Sequence, residues 1–431
     1  MSQAAPRPEF LKKIAGVEPS SRSESAGTIA RPSSLAGQRH RIDYGVEISL
    51  TTAPPVADEP QTSESQTSAE LLTGGDTLER FVAKYGQCFD SYLATEPGRL
   101  SFWSRQGLGL ISYFRRGRYI LVGGGLIAPD EHKETLLKEF VEQTKRDNLR
   151  AAFLNISEED VPLFRQYGFR VTKWGEEPLL DLRTLSWSGK SYEWVRRQSN
   201  YCLRNGVVAS EVRQRDLDPA EWERTMAEVR EIGVQSLSKK AQPKGMRFLE
   251  GCIDEHELGL RRLFIARSDQ GRGRIEGFVI CNPLRNGTAW STELYRHRVD
   301  SVRGTVAFLF HHLIEQMRVE GVERVQLCVD PARNCSTPLP GDGPLVRLSL
   351  SWSQKYFGFV FDFAGVHHFR SRFRPYYANR YVCAQPGAPF ALLRTFFKAT
   401  GCFQLHYTNL LRICLDRIRK RVSRKTLAAS D

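Results

Sequence analysis

The sequence predicts a mixed α/β protein of two similar lobes, and three observations carry that prediction. Strand and helix signals alternate from about residue 100 to 188. The same rhythm recurs from about 189 to 330 without a direct sequence repeat. And 41% of the 431 residues are hydrophobic, enough for sizeable cores; at roughly 100–200 residues per domain the chain holds two or three units. Strand–helix–strand alternation implies mixed sheets covered by helices.

Residues 1–75 are rich in Ser, Thr, Ala and Pro, as in TTAPPVADEPQTSESQTSAE, and are expected to be unstructured apart from a short strand over 44–50. The first lobe, 76–188, opens with SFWSRQGLGLISYFRRGRYILVGGGLIAP, read as strands broken at Gly107 and Gly117 and ending in the Gly123–Gly125 run. A helix from about Asp130 puts Leu136, Leu137, Phe140 and Val141 on one face. RAAFLNIS reads as a buried strand, EEDVPLFRQYGF as a short helix closing at Gly168, and PLLDLRTL as a further strand.

The second lobe, 189–388, begins with the helix SYEWVRRQSNYCLRNG, stopped by Gly206, and the strand VVASEVR. Helices are expected at about 219–232 and 245–255, then antiparallel strands turning near Gly271–Gly273 and at Asn286-Gly287. A helix over about 305–320 and the strand VERVQLCV follow. The last region, 389–431, reads as a basic amphipathic helix with Tyr407, Leu410, Leu411, Cys414, Leu415, Ile418 and Val422 at helical spacing; from 391 to 431, nine basic residues face two acidic ones.

The chain carries 62 Lys+Arg against 49 Asp+Glu, a net +13, which favours polyanionic partners, nucleic acid or an anionic membrane surface. No window reaches 18 consecutive apolar residues, so no spanning helix is expected. The N-terminus lacks a charged start followed by an apolar run, so no secretory signal is expected and a cytoplasmic location is. The nine cysteines form no CxxC pair; they read as reduced, mostly buried small hydrophobes, and no metal is expected. Signatures of P-loops, zincins, nucleophile elbows and EF-hands are missing. Gly123–Gly125 lacks the GxGxxG spacing and reads as a structural turn, and the adjacent pairs His311-His312 and His367-His368 point in different directions on a helix.

Two segments carry chemistry. In WSTELYRHRVDSVRGTVAFLFHHL, Glu293 and Arg296 sit on a strand that leads to Gly304 and a helix N-terminus, a place that stabilises anions. Such a pair can hold an ammonium and an ester oxygen or phosphate, or form a strand-end salt bridge. In HHFRSRFRPYYANRYV, Arg370, Arg372, Arg374 and Arg380 interleave with Phe369, Phe373, Tyr376, Tyr377 and Tyr381. Arginine forks bind phosphate and aromatic rings stack bases or line lipid; equally, the rings fill a core while the arginines reach solvent.

Four segments in this order resemble the soluble C-terminal domain of the bacterial phosphatidylglycerol aminoacyltransferases, the lysyl- and alanyl-phosphatidylglycerol synthases. They are GLGLISYFRRGRYILVGGGLIAP, WSGKSYEWVRRQSNYCLRNG, STELYRHRVDSVRGTVAFLF and FRSRFRPYYANRYV, and the resemblance covers about 78–385. It implies a tandem of acetyltransferase-like (GNAT-like) lobes. It also implies aminoacyl transfer from aminoacyl-tRNA to a lipid hydroxyl, with phosphatidylglycerol as the first acceptor. The family has Asp where this chain has Glu293, retains Arg296, and usually has lysine where this chain has Arg370 and Arg372.

On this resemblance Glu293 holds the α-ammonium or assists proton removal, and Arg296 orients the ester or a phosphate. Arg370, Arg372, Arg380 and Tyr381 bind the tRNA acceptor end or the lipid headgroup, with Arg196, Arg197 and Arg204 extending the basic surface. An aminoacyl ester is already activated, so no cofactor is required. The expected partners are aminoacyl-tRNA and an anionic membrane lipid, at the inner face of the plasma membrane. Two alternatives stay open: the same donor with a sterol, another lipid or a peptide amine as acceptor, and a catalytically silent module that binds tRNA or anionic membranes.

Overall fold

The computed structural model describes residues 75–401, apart from 239–247, 254–257, 336, 338–339, 357–362 and 387–388. The expected 1–75 segment and the expected helix around 407–422 lie outside the described residues.

The alternation of signals becomes a continuous series of elements. The first lobe runs α1 (Gly75–Tyr85), β1 (Leu100–Trp103), β2 (Leu110–Arg116), β3 (Tyr119–Ile127), α2 (Lys133–Arg146), β4 (Arg150–Ser157), α3 (Val161–Gln166) and β5 (Arg170–Asp181). The second runs α4 (Glu193–Arg204), β6 (Val208–Val212), α5 (Pro219–Ser238), β7 (Arg262–Arg267), β8 (Ile275–Leu284), β9 (Ala289–His297), α6 (Thr305–Val319), β10 (Arg324–Gln326) and β11 (Asp330–Pro331). After them come α7 (Pro344–Tyr356), α8 (Phe363–Ser371), β12 (Tyr376–Ala384) and α9 (Pro389–Thr400). Each lobe thus sets antiparallel strands before a helix and a parallel strand, the acetyltransferase-like plan.

The two lobes share one mixed sheet, in the order β1-β2-β3-β4-β12-β5-β10-β9-β8-β7-β6, with β11 beside β5. The C-terminal β12 does not stay with the second lobe. It lies antiparallel between β4 and β5 of the first, with Arg380 opposite Ser157 and Tyr376 opposite Leu179. The boundary expected near 188 therefore describes the order of the chain but not the composition of the sheet.

Helices cover both faces. In the first lobe Leu136, Leu137, Phe140 and Val141 of α2 face the sheet as their spacing predicts, in a core with Phe153, Phe164 and Phe169. The Phe153 ring meets Phe140, Phe164 and Phe169 edge-on at 5.5, 4.8 and 5.6 Å, the geometry aromatic quadrupoles favour. In the second lobe α4 and α6 bury Val195, Cys202, Phe310, Leu313 and Met317 on one face, and α5 buries Trp222, Met226 and Val229 on the other.

Two expectations are corrected. The glycine run Gly123–Gly125 lies inside β3 and is no terminal turn. The described part of the expected 245–255 helix, residues 248–253, is a turn followed by irregular backbone, with no helix. Beyond the expected elements, α7, α8 and β12 are regular as well. The seven cysteines among the described residues are free.

Phe153 is fully buried, so Phe153→Ala is expected to cost about 3–5 kcal/mol. Urea unfolding followed by circular dichroism measures this as a lower midpoint; an unchanged midpoint would contradict the packing described.

Candidate active site

The site is built where two parallel strands part. β10 pairs with β9 only from Arg324 opposite Ala289 to Gln326 opposite Ser291. β9 continues to His297, but the chain after Gln326 follows β5: the Leu327 amide donates to the Pro178 carbonyl at 3.0 Å, and Asp330 pairs with Glu176. Cys328, in the left-handed region at φ 63°, makes the step. A wedge opens between residues 292–297 and 327–330, and the Cys328 thiol donating to the Thr292 carbonyl at 3.4 Å closes its narrow end.

On its other edge β9 slips register against β8, where Ile280 opposes Leu294 but Cys281 opposes Thr292. Glu293 is the extra residue of a β-bulge, a device that re-aims a side chain. Residues three apart point to opposite faces of a regular strand. The bulge cancels that, and Glu293 and Arg296 both engage the segment 248–253. The Gly251 amide donates to Glu293 Oε1, and Arg296 Nη2 donates to Glu250 Oε2 at 2.7 Å. A side chain at 251 has no room: its Cβ would stand 2.5 Å from Glu293 Oε1 and 2.8 Å from Glu96 Oε1.

Charged partners surround this pair. Asn282 Nδ2 donates to Glu293 Oε2 at 2.5 Å, while Asn282 Oδ1 is buried without a partner among the described residues. Glu96 accepts from the Cys252 amide at 3.1 Å and from the Arg261 guanidinium. Arg99 donates to the Phe248 carbonyl at 2.6 Å and lies 4.2 Å above the Phe248 ring. Burial pushes the Glu293 carboxyl above the usual range; the Arg261 charge and the Asn282 hydrogen bond oppose the shift, and Glu96 adds to it. A raised pKa makes the carboxylate form a stronger base.

The first lobe has the corresponding wedge, and its own chain fills it. β3 and β4 pair from Tyr119 and Arg150 to Val122 and Phe153 and then part. Asp90 enters the gap, accepting from the Gly124 amide at 3.1 Å and from Asn155 Nδ2 at 2.7 Å. Ser91 Oγ donates to the Gly124 carbonyl at 2.7 Å. Gly124 has φ +85°, and a Cβ there would meet Ser91 Cα at 2.9 Å, so the glycines admit this segment rather than a phosphate.

The remaining predicted residues fall into two groups. Arg370 is buried at the far side of the second wedge, donating from Nη1 to the Val329 carbonyl at 2.9 Å and to Asp330 Oδ1 at 2.7 Å; Asp330 Oδ2 also lies 2.9 Å from His367 Nδ1. Arg380 is buried on Glu177, with Nε 2.6 Å from Oε2. Arg370, through Val329 and Asp330, stands on the 327–330 side of the second wedge.

Arg372 and Tyr381 lie elsewhere. Arg372 Nη2 is 3.0 Å from His368 Nε2, and its guanidinium lies 5.6 Å from the Trp194 ring centre. The Tyr381 ring belongs to the first-lobe core. Arg196 donates to the Trp187 carbonyl. Arg197 and Arg204 line a surface pocket of about 390 Å³ with Arg303. Sequence reading did not find Glu96, Arg99, Arg261 or Asn282, which no local motif marks. Only the bulge and the crossing of 86–99 over both lobes bring them to Glu293.

A sequence profile described as the C-terminal region of phosphatidylglycerol lysyltransferase matches residues 79–384. The chain belongs to that family. It is 23% identical over 314 residues to the phosphatidylglycerol lysyltransferase of Bacillus subtilis, covering 71% of this chain and 34% of that protein. It is also 23% identical over 325 residues to the lysylphosphatidylglycerol biosynthesis bifunctional protein of Rhodococcus opacus, covering 74% of this chain and 28% of that protein. The chain thus spans about a third of the length of the curated relatives it matches. The solved structure of L-PGS from Bacillus licheniformis shares the fold, with a TM-score of 0.61 at 21% identity over 75% of this chain and 96% of that one. Within the family match lie both wedges, the bulge at Glu293 and the inserted β12.

The raised Glu293 carboxyl yields a stability test. A group that binds its proton more tightly when folded adds stability as pH falls through its folded pKa. Glu293→Gln keeps an acceptor oxygen and removes the buried charge. The variant is expected to be at least as stable as the parent at neutral pH and to lose that advantage under mildly acidic conditions, measured as urea midpoints across pH. A constant difference would contradict the burial argument.

Proposed function

We propose that the chain transfers an aminoacyl group from aminoacyl-tRNA to the glycerol hydroxyl of phosphatidylglycerol. One observation carries this reading: within a lipid-aminoacylating family, the β9 bulge brings Glu293 and Arg296 together at one wedge between splayed strands. The acceptor hydroxyl attacks the aminoacyl carbonyl carbon, Glu293 takes the hydroxyl proton, and the 3′-ribose oxygen of the tRNA leaves and is protonated. One ester forms as another breaks, so no energy source enters. Positioning accounts for several kcal/mol of the barrier, and a guanidinium beside the carbonyl oxygen or a phosphate stabilises developing negative charge.

Arg370 supports the reading as a phosphate partner. Its Nε is buried without a partner among the described residues, an orphan donor that an anionic group would satisfy. The basic balance of the chain suits two polyanionic substrates and contact with an anionic membrane face. Among the described residues no helix is long and apolar enough to cross a membrane.

A second reading, a silent module that binds tRNA or anionic membrane, is favoured by the occupation of the site. Gly251 and Glu250 already engage Glu293 and Arg296, so a substrate has to displace them.

The deciding assay gives the protein mixed radiolabelled aminoacyl-tRNAs and vesicles containing phosphatidylglycerol, and follows label into the lipid extract. Label is expected in the lipid, and Glu293→Gln and Arg296→Ala are each expected to lower the rate about a hundredfold or more. Unlabelled lipid with tRNA binding intact would overturn transfer to phosphatidylglycerol, and full activity of both variants would overturn the site.

A further inference from the structure

A basic and aromatic surface lies away from the wedge, on the outer side of the first lobe. α9 packs inward through Leu392, Phe396 and Ala399 against a layer that includes Leu121, Leu154 and Trp174. Its outer side, with Phe390, Leu393, Arg394, Phe397 and Lys398, joins Phe114 and Arg116 of β2 around a groove of about 720 Å³. Residues four and eight apart share one helix face, so Phe390, Arg394 and Lys398 form a single row.

The chemistry of this groove is uniform. The segments 110–119 and 389–401 contain five basic residues and no acidic one. The charges crowd one another: Arg116 first, and Arg394 after it, hold the Lys398 ammonium below its usual pKa. Phe390 is 74% exposed, the most exposed large hydrophobic among the described residues. A cationic cluster with no ion pair among the described residues, beside an exposed aromatic and a half-buried leucine, matches an anionic headgroup above acyl chains. A nucleic acid would meet the same positive charge, so the exposed Phe390 beside that charge is what favours a lipid interface, and the test below separates the two. α9 also lies beyond residue 384, where the family match ends.

We propose that α9 and the β2–β3 hairpin form a docking site for anionic phospholipid, with α9 lying in the plane of the bilayer interface and Phe390 inserted at the acyl boundary. The site rests on α9, the last helix among the described residues, and goes beyond the transfer reaction. It holds the protein on the membrane whether or not a lipid occupies the wedge.

The test is co-sedimentation of the full chain with vesicles of phosphatidylcholine alone or mixed with phosphatidylserine, which is anionic but lacks the glycerol acceptor. The intact chain is expected to bind the mixed vesicles and to bind phosphatidylcholine alone weakly. Each basic side chain near an anionic surface contributes about 1 kcal/mol, so Arg394→Ala with Lys398→Ala is expected to weaken binding about thirtyfold. Phe390→Ser is expected to weaken it as well. All three changes are at exposed positions, and transfer to detergent-dispersed phosphatidylglycerol is expected to be unchanged, which separates this proposal from the fate of the wedge reaction. Undiminished vesicle binding by these variants would overturn the proposal and assign membrane contact to residues 402–431 or another face. So would variants that lose tRNA binding and keep vesicle binding.

Discussion

The rest of the molecule depends on β5 having partners on both sides. β12 pairs with it from Arg170 to Leu179, and β10 with β11 take its other edge from Asp181 to Gly175. Because the segment 324–331 must satisfy its backbone along β5, it cannot also follow β9, and the wedge at Glu293 is the geometric result. A buried backbone group left without a partner costs about 1–3 kcal/mol, so the two lobes cannot slide along this seam without breaking several such bonds at once. The seam therefore fixes where the segment 327–330, and Arg370 bonded to it, stands relative to β9.

The two wedges are copies of one architectural feature put to different uses. In the first, Asp90 closes the gap with two hydrogen bonds to Gly124 and Asn155, and burial holds its carboxyl above the usual range. In the second, the gap is met by the short segment 248–253, which reaches Glu293 and Arg296 through the Gly251 amide and the Glu250 carboxylate and is tied to Glu96 and Arg99 beside them. A filled wedge is a structural joint, whereas a wedge covered by a few polar contacts can exchange them for a substrate's. The same segment, 86–99, supplies Asp90 to one and Glu96 and Arg99 to the other, so the joint and the site share a scaffold.

Most elements were legible in the sequence because periodicity and glycine stops are local. Leu136, Leu137, Phe140 and Val141 announce α2, Gly168 and Gly206 end their helices, and Asn286-Gly287 marks a hairpin. The pair Glu293 and Arg296 was legible as chemistry, but its joint orientation was not, since it depends on a bulge that only the pairing with β8 reveals. The motif around Arg370–Tyr381 was read as one basic-aromatic surface, whereas the structure divides it. Arg370 ends a helix, Arg372 turns toward Trp194, and the strand alternation of β12 sends Arg380 and Tyr381 to opposite faces. Long-range partners such as Glu96, Arg261 and Asn282 leave no local trace.

The position of β12 also has a consequence for how the protein is made. Until residues 376–384 leave the ribosome, β4 and β5 of the nascent first lobe have no strand between them, and their facing amides and carbonyls remain hydrated or mispaired. The half synthesised first is therefore completed last, by a contact spanning about half of the chain. Such non-local pairing slows folding and prolongs the exposure of strand edges. Premature termination anywhere before β12 leaves β4 and β5 unjoined, which ties the sheet that carries the Glu293 wedge to a strand encoded far downstream of the first lobe.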